Sequence, residues 1–231
     1  MHQRGKDNAF SQYGTFNHSI LEKYGKGEAE VYELLDLFTS GFCENVTIDF
    51  PPNKFCDLRE KYFSDAVKFY QNFEGFDEYN VLGVEKTFNL NINNDFIFKG
   101  VIDLILEGSN NDIIILDHKS KADFKSKKER DKYARQLYLY SLYIKNVYGK
   151  YPKELIFNMF RKQKMVRIPF DLKKYEEAYE WMLNTVKDIR SNDKFEISTD
   201  DFMCKYLCNH RDTCEYGISL SVENGVIVPD N

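Results

Sequence analysis

Two short apolar runs, each interrupted by an aspartate, constrain this chain more than any other feature. They are Phe98-Lys-Gly-Val-Ile-Asp103 and Ile113-Ile-Ile-Leu-Asp117-His-Lys119. Both read as β-strands, and a carboxylate among Val, Ile and Leu is costly unless a cation or a hydrogen-bond network compensates it. Side chains alternate across a strand, so Asp117 and Lys119 share a face while His118 points the other way. With the strand of Asp103 paired alongside, both carboxylates converge at one end of a sheet.

The rest of the chain builds outward from these strands. Phe16, Ile20 and Tyr24 recur at helical spacing, as do Tyr32, Leu35 and Phe38, so Ser11 to Phe42 reads as one or two helices. Pro51-Pro52 breaks the chain, and a helix follows from Cys56 to Phe73. Val81 to Leu90 and Phe96 to Leu106 read as a hairpin around Asn93-Asn94, and Gly108 to Asn111 is a second turn before the third strand. A long helix from Lys125 to Val147 comes next. A fourth strand spans Glu154 to Phe160 and continues through a turn near Gln163 to Pro169; a last helix, N-capped by Asp171, runs to Arg190. The expected architecture is α/β, a mixed central sheet flanked by helices, in one domain over 1–231. It divides into a helical part over 10–75, a core over 80–195 and a cysteine cluster over 200–216. The tail from Ser219 to Asn231 has no assignable role and is expected to be partly mobile.

Charge narrows the function classes. The 231 residues carry a net charge of −5, which argues against a protein that simply coats nucleic acid. Basic residues are nevertheless concentrated: Lys119 to Arg135 holds eight against three acidic ones, a net +5 directly after the Asp117/Lys119 pair. Such a run is usually a solvated helix face. Its position favours a track for a phosphate backbone, with Lys121 and Arg135 as contacts. No apolar run has membrane-spanning length, and Met1 to Asp7 has no apolar secretory segment, so a cytoplasmic location without disulfides is expected.

Asp103, Asp117 and Lys119 together suit phosphodiester hydrolysis. A hard cation such as Mg²⁺ takes oxygen ligands, polarises a phosphate oxygen and supplies a hydroxide-like nucleophile. The lysine orients that water or stabilises the added negative charge. Glu85, on the first strand, is either a further carboxylate of the site, held in its outer layer or on a second metal, or half of a hairpin-edge salt bridge. His18 lies alone on a helix, where a structural role is the commoner one. Gln136 and Tyr140, four apart, share a helix face.

In combination these residues resemble the PD-(D/E)XK nuclease superfamily and, within it, the RecB-type domains of CRISPR-associated and phage exonucleases. The helical histidine corresponds to His18, the strand glutamate to Glu85, and Gly-x-x-Asp to Gly100-Val-Ile-Asp103. Asp-x-Lys corresponds to Asp117-His118-Lys119, and the Gln-x-x-x-Tyr helix to Gln136-Leu-Tyr-Leu-Tyr140. Ile102 stands where the superfamily's name has proline. The resemblance implies a restriction-endonuclease-like core and a Mg²⁺- or Mn²⁺-dependent deoxyribonuclease, an exonuclease acting on DNA ends or single strands. A catalytically silent DNA-binding or scaffolding subunit is the alternative. It implies that His18, Asp103, Asp117 and the backbone carbonyl of His118 bind metal, that Lys119 is catalytic, and that Gln136 and Tyr140 position DNA. It also implies a bacterial or phage origin and helicase, recombination or CRISPR proteins as partners.

Cys204, Cys208 and Cys214 fall within eleven positions, a spacing that suggests a metal rather than disulfides in a reducing compartment. Similar RecB-type nucleases often carry a structural 4Fe–4S cluster held by three such cysteines and one ahead of the histidine helix. Here no cysteine precedes His18, so either the N-terminus is truncated or the fourth ligand differs. Cys204, Cys208, His210 and Cys214 could instead hold tetrahedral zinc, or the thiols could simply be packed and free.

Overall fold

The computed structural model describes residues 6–194, 196–197 and 199–222. The tail's residues 223–231, for which no role was assignable, lie outside the described residues. Helices α1 (Ala9–Gly25), α2 (Leu34–Asn45) and α3 (Leu58–Asn72) come first, with a short 3-10 turn before α2. Strands β1 (Asn80–Ile92), β2 (Phe96–Glu107) and β3 (Ile113–His118) follow, then α4 (Lys127–Tyr148), β4 (Glu154–Met159), β5 (Lys164–Pro169), α5 (Leu172–Ser191) and α6 (Glu215–Val222). The five strands lie in sheet order β1-β2-β3-β4-β5, with only β3 and β4 parallel. The α4 crossover explains that exception, because parallel neighbours need a long connection. This is the mixed sheet flanked by helices that the sequence implies.

The fourth expected strand divides in two. Met159 ends β4, a 3-10 turn occupies Phe160–Lys162, and Gln163 takes the left-handed region at φ 51° so that the chain reverses into β5. β5 alternates exposed and half-buried residues, a weak apolar pattern that reads as turn when taken alone. Asn93 and Asn94 also adopt positive φ, at 51° and 56°, and close the expected β1–β2 hairpin.

Period-two alternation splits the core into two layers. Leu104, Leu106, Ile114, Leu116 and Ile156 pack against α1, α2 and α3. Ile105, Ile113, Ile115, Leu155 and Phe157 pack against α4 and α5. Each fully buried side chain of this kind contributes roughly 2 kcal/mol. β3 is buried along its whole length and so acts as the rigid spine of the sheet. Alternation breaks beside Asp103, since Ile102 and Ile105 both join the α4/α5 layer. Among the described residues, no helix is long and apolar enough to cross a membrane.

Candidate active site

The end of β3 carries the most polar chemistry in the sheet. Asp117 is 3% exposed and continues the face of Ile113 and Ile115 toward α4. Lys119 returns to the same side, with Nζ 2.7 Å from Asp117 Oδ2. Lys119 also donates to Gln136 Oε1 at 3.5 Å, and Gln136 Nε2 donates to the Tyr140 hydroxyl at 2.6 Å. The helix repeat of α4 makes this relay possible, because positions four apart stack on one face. Ser126 starts the helix by accepting from the Glu129 N–H, and Gly149 ends it in the left-handed region at φ 72°. Gly100 lets α4 come close: a Cβ there would lie 2.7 Å from Phe88 Cε1 and 2.9 Å from Tyr140 Cε1.

The His118 peptide ties the second half of the site together. Its N–H donates to Asp103 Oδ2 at 2.8 Å, and its carbonyl accepts from His18 Nε2 at 2.9 Å. One peptide unit thus orients a carboxylate from β2 and an imidazole from α1. With Nε2 donating, His18 turns Nδ1 toward Asp103 Oδ2 at 3.5 Å and Glu85 Oε1 at 4.0 Å. Glu85 reaches this point through an irregular hairpin. Val84 pairs with Leu104 and Lys86 with Ile102, so Glu85 lies opposite Asp103, and it takes φ 44°. A non-glycine residue in that region is strained, and such strain collects at functional sites.

Ligand atoms of His18, Glu85 and Asp103 all lie within 4.8 Å of one another, the group among the described residues able to hold a metal ion. Two carboxylate oxygens and one imidazole nitrogen fit a hard or borderline divalent cation. The sequence-level ligand set differs from this in membership. Glu85 belongs to the close cluster, Asp117 lies outside it beside Lys119, and the His118 carbonyl is engaged by His18.

The electrostatics match a site built for positive charge. Burial, and then the neighbouring Asp117 carboxylate, push the Asp103 pKa up to about 7 against relief from His18 and the His118 N–H. Burial also raises Asp117, with Lys119 opposing. His18 is itself raised: burial works against its charge, but Glu85, Asp103 and Asp117 outweigh that. His118 is buried and held well below the ordinary histidine value. Its Nδ1 accepts from Asn158 Nδ2 at 3.0 Å, so the ring is neutral with its proton on Nε2. Asn158 also accepts the Lys119 N–H through its carbonyl at 2.8 Å, locking the end of β3 to β4.

The remaining expected residues divide. Lys121 pairs with Glu129 at 3.0 Å and lies 5.9 Å from the Tyr133 ring, the ring that also lies 6.0 Å from Lys119 Nζ. Arg135 is not brought to the site; its guanidinium lies 4.3 Å from the Trp181 ring centre on α5. Cys204 is buried in a π-helical turn over Met203–Leu207, which Cys208 ends, and Cys214 precedes α6. Burial, then Cys208 and Cys214, raise the Cys204 thiol. The His210 N–H donates to Cys208 Sγ at 3.4 Å. These four residues do not form a close ligand group like that of His18, Glu85 and Asp103. The segment leading into α1 does meet the cysteine segment here, through Lys6 N–H to the Asn209 carbonyl at 2.9 Å and Asn8 Nδ2 to the Leu207 carbonyl at 3.2 Å.

Asn158 was missed by sequence reasoning, and so was the His118 N–H that holds Asp103, the carbonyl of that peptide having entered only as a ligand implied by the resemblance. The first had a signal, an asparagine within the apolar run Glu154-Leu-Ile-Phe-Asn158-Met. The second had none, because a peptide group leaves no mark in the side-chain pattern.

Among curated proteins, none matches this sequence. Residues 2–215 match the family model of the PD-(D/E)XK nuclease superfamily. A match over nearly the whole length, on a mixed sheet with this arrangement of carboxylates and lysine, shows that the chain belongs to the PD-(D/E)XK nuclease superfamily.

Proposed function

We propose that this nuclease is a Mg²⁺- or Mn²⁺-dependent deoxyribonuclease acting on DNA ends or single strands. The observation that carries this reading is the meeting of His18, Glu85 and Asp103 beside the Asp117–Lys119 pair. His18 through Nδ1, Glu85 and Asp103 would hold the cation. Once bound, it neutralises phosphate charge and lowers the pKa of a coordinated water. Asp103 and His18 must give up their protons for this, and the His118 peptide keeps both pointing inward. Asp117 fixes the Lys119 ammonium from one side and Gln136 from the other. So placed, Lys119 donates to the attacking water or to the phosphate oxygen that gains charge. Tyr140, through Gln136, restrains the same ammonium.

An exonuclease in DNA recombination, repair, or phage or CRISPR DNA processing, beside a helicase or recombinase, is the biological setting that fits.

Cleavage of end-labelled single- and double-stranded DNA with Mg²⁺ or Mn²⁺, comparing the parent with Lys119→Ala, tests the proposal. Metal-dependent cleavage by the parent alone supports it, and a short-product ladder from one end supports exonuclease action. Absence of cleavage by folded parent with either ion would refute it.

A further inference from the structure

On the far side of α4 from the catalytic groups lies a cleft of about 840 Å³ between the first half of α4 and α5. Its floor is apolar, from Ala134, Tyr138, Ile168 and Ala178. Its walls carry Lys127, Lys128, Arg130, Lys132, Arg135 and Lys174 against only Glu129, Asp131 and Glu177. Two of those acids are already engaged, Glu129 by Lys121 and Asp131 by Arg130 and Lys174. Arg130 Nε is buried without a hydrogen bond. The cleft therefore has more cationic donors than its own carboxylates can use.

Ion pairing alone would suit any anion. The Arg135–Trp181 pair adds a second chemistry. Trp181 extends the cleft face of α5 by one turn beyond Lys174 and Ala178, and it is 43% exposed. The guanidinium lies over one face of the indole at 4.3 Å, leaving flat π surface open beside a row of cations. Nucleic-acid single strands are recognised by this combination, bases stacking on aromatic or guanidinium planes while phosphates follow cationic side chains. A duplex keeps its base faces covered and cannot use the stack. The cationic row starts at Lys119 and Lys121 and passes Lys125 at the α4 N-terminus, so it joins this cleft to the catalytic side.

The geometry points to the α4–α5 cleft as a second binding site for single-stranded nucleic acid, outside the catalytic centre. This deepens the nuclease reading by giving the strand a hold beyond the scissile bond, and it rests on that reading only for its purpose. Trp181 is the chain's single tryptophan, so its emission reports on the cleft. The full chain, kept in EDTA so that nothing is cut, is titrated with a short oligothymidylate. Saturable quenching is expected, weakening steeply with salt and reduced in affinity by about tenfold or more in Arg135→Gln and in Lys128→Glu. Lys128 is exposed, so its variant tests charge without disturbing the fold. Three results would overturn the inference: no saturable change in the parent, parent-like affinity in both variants, or equal quenching by inorganic phosphate or by a duplex. Because the titration needs no metal, quenching without any cleavage activity would leave the cleft standing while the nuclease reading fell. Cleavage without quenching would do the reverse.

Discussion

Asp117 is a buried carboxylate paired with a half-buried Lys119, and such a carboxylate is safe only while its partner is present. Removing the lysine leaves a carboxylate that must take a proton or stay charged among Ile113, Ile115 and Phe157. Burial already raises Asp117 with Lys119 opposing, so loss of the lysine in Lys119→Ala pushes it further toward the protonated form. The variant is expected to stay folded but to lose at least about 100-fold in DNA cleavage. Its stability, read by denaturant unfolding, should approach the parent's at pH 5 and fall behind at pH 8. The sign follows from an acid held above its unfolded pKa, whose contribution is kept at low pH and lost as pH rises. A pH-independent difference would mean that Asp117 does not take up the lysine's role. Glu85 offers a second test. At φ 44° it gives up backbone comfort to reach Asp103 and His18. Glu85→Gly is therefore expected to stabilise the fold by up to about 1 kcal/mol while weakening divalent-metal binding in calorimetry. Lower stability together with unchanged metal affinity would remove Glu85 from the site.

Among the elements, the β2–α4 contact decides how far the site closes. Phe88 and Tyr140 meet edge to face at 5.7 Å over the backbone of Gly100. Gly100→Ala inserts a methyl where both rings already sit, and overpacking of this kind costs about 1–3 kcal/mol. Denaturant unfolding should show that loss, and cleavage should fall with it, because Tyr140 displaced also frees Gln136 from Lys119. Full stability in the variant would show that the rings have room the structure does not suggest. This glycine also shows what the sequence could convey. The strands were legible wherever burial on both faces wrote a continuous apolar run, as in β3, and α4 and α5 were legible from their period and N-caps. β5 was not, because its exposed alternation carries little apolar signal. Within the site, Asp103, Asp117 and Lys119 could be marked because the strand period places them without knowledge of the fold, whereas for Gln136 and Tyr140 the helix period gave a shared face and only the resemblance gave a role. The convergence of His18, Glu85 and Asp103 could not be derived that way. It depends on an irregular register in the hairpin and on a peptide group, and neither has a local sequence signature. The place of Arg135 was hidden for a related reason: charge patterning marks a basic run but not which face of α4 each member takes, and this guanidinium lies on Trp181.

Across the whole molecule, the site sits where the two core layers meet at the end of β3, so its titration is tied to global stability. Asp103 holds its proton up to about pH 7 in the folded chain and only to about 3.8 when unfolded. The stability this provides is complete at low pH and is lost between those two values. His18, raised above 6.5, loses its contribution as pH climbs through its folded pKa. His118 works in the opposite sense, since it stays neutral when buried while the unfolded chain takes up a proton below about 6.5. Comparison with Asp103→Asn separates these effects, because that change leaves His118 in place and removes the carboxylate. In EDTA, the parent's melting temperature is expected to fall relative to Asp103→Asn as pH rises from 5 to 8. Millimolar Mg²⁺ or Mn²⁺ should restore it at pH 8 and do little at pH 5, where protons compete for the same atoms. Calorimetry in buffers of different ionisation enthalpy should show protons released by the parent on binding, and fewer or none by the variant. A parent melting curve that tracks Asp103→Asn at every pH, or a metal effect as large at pH 5 as at pH 8, would separate metal binding from Asp103 and His18.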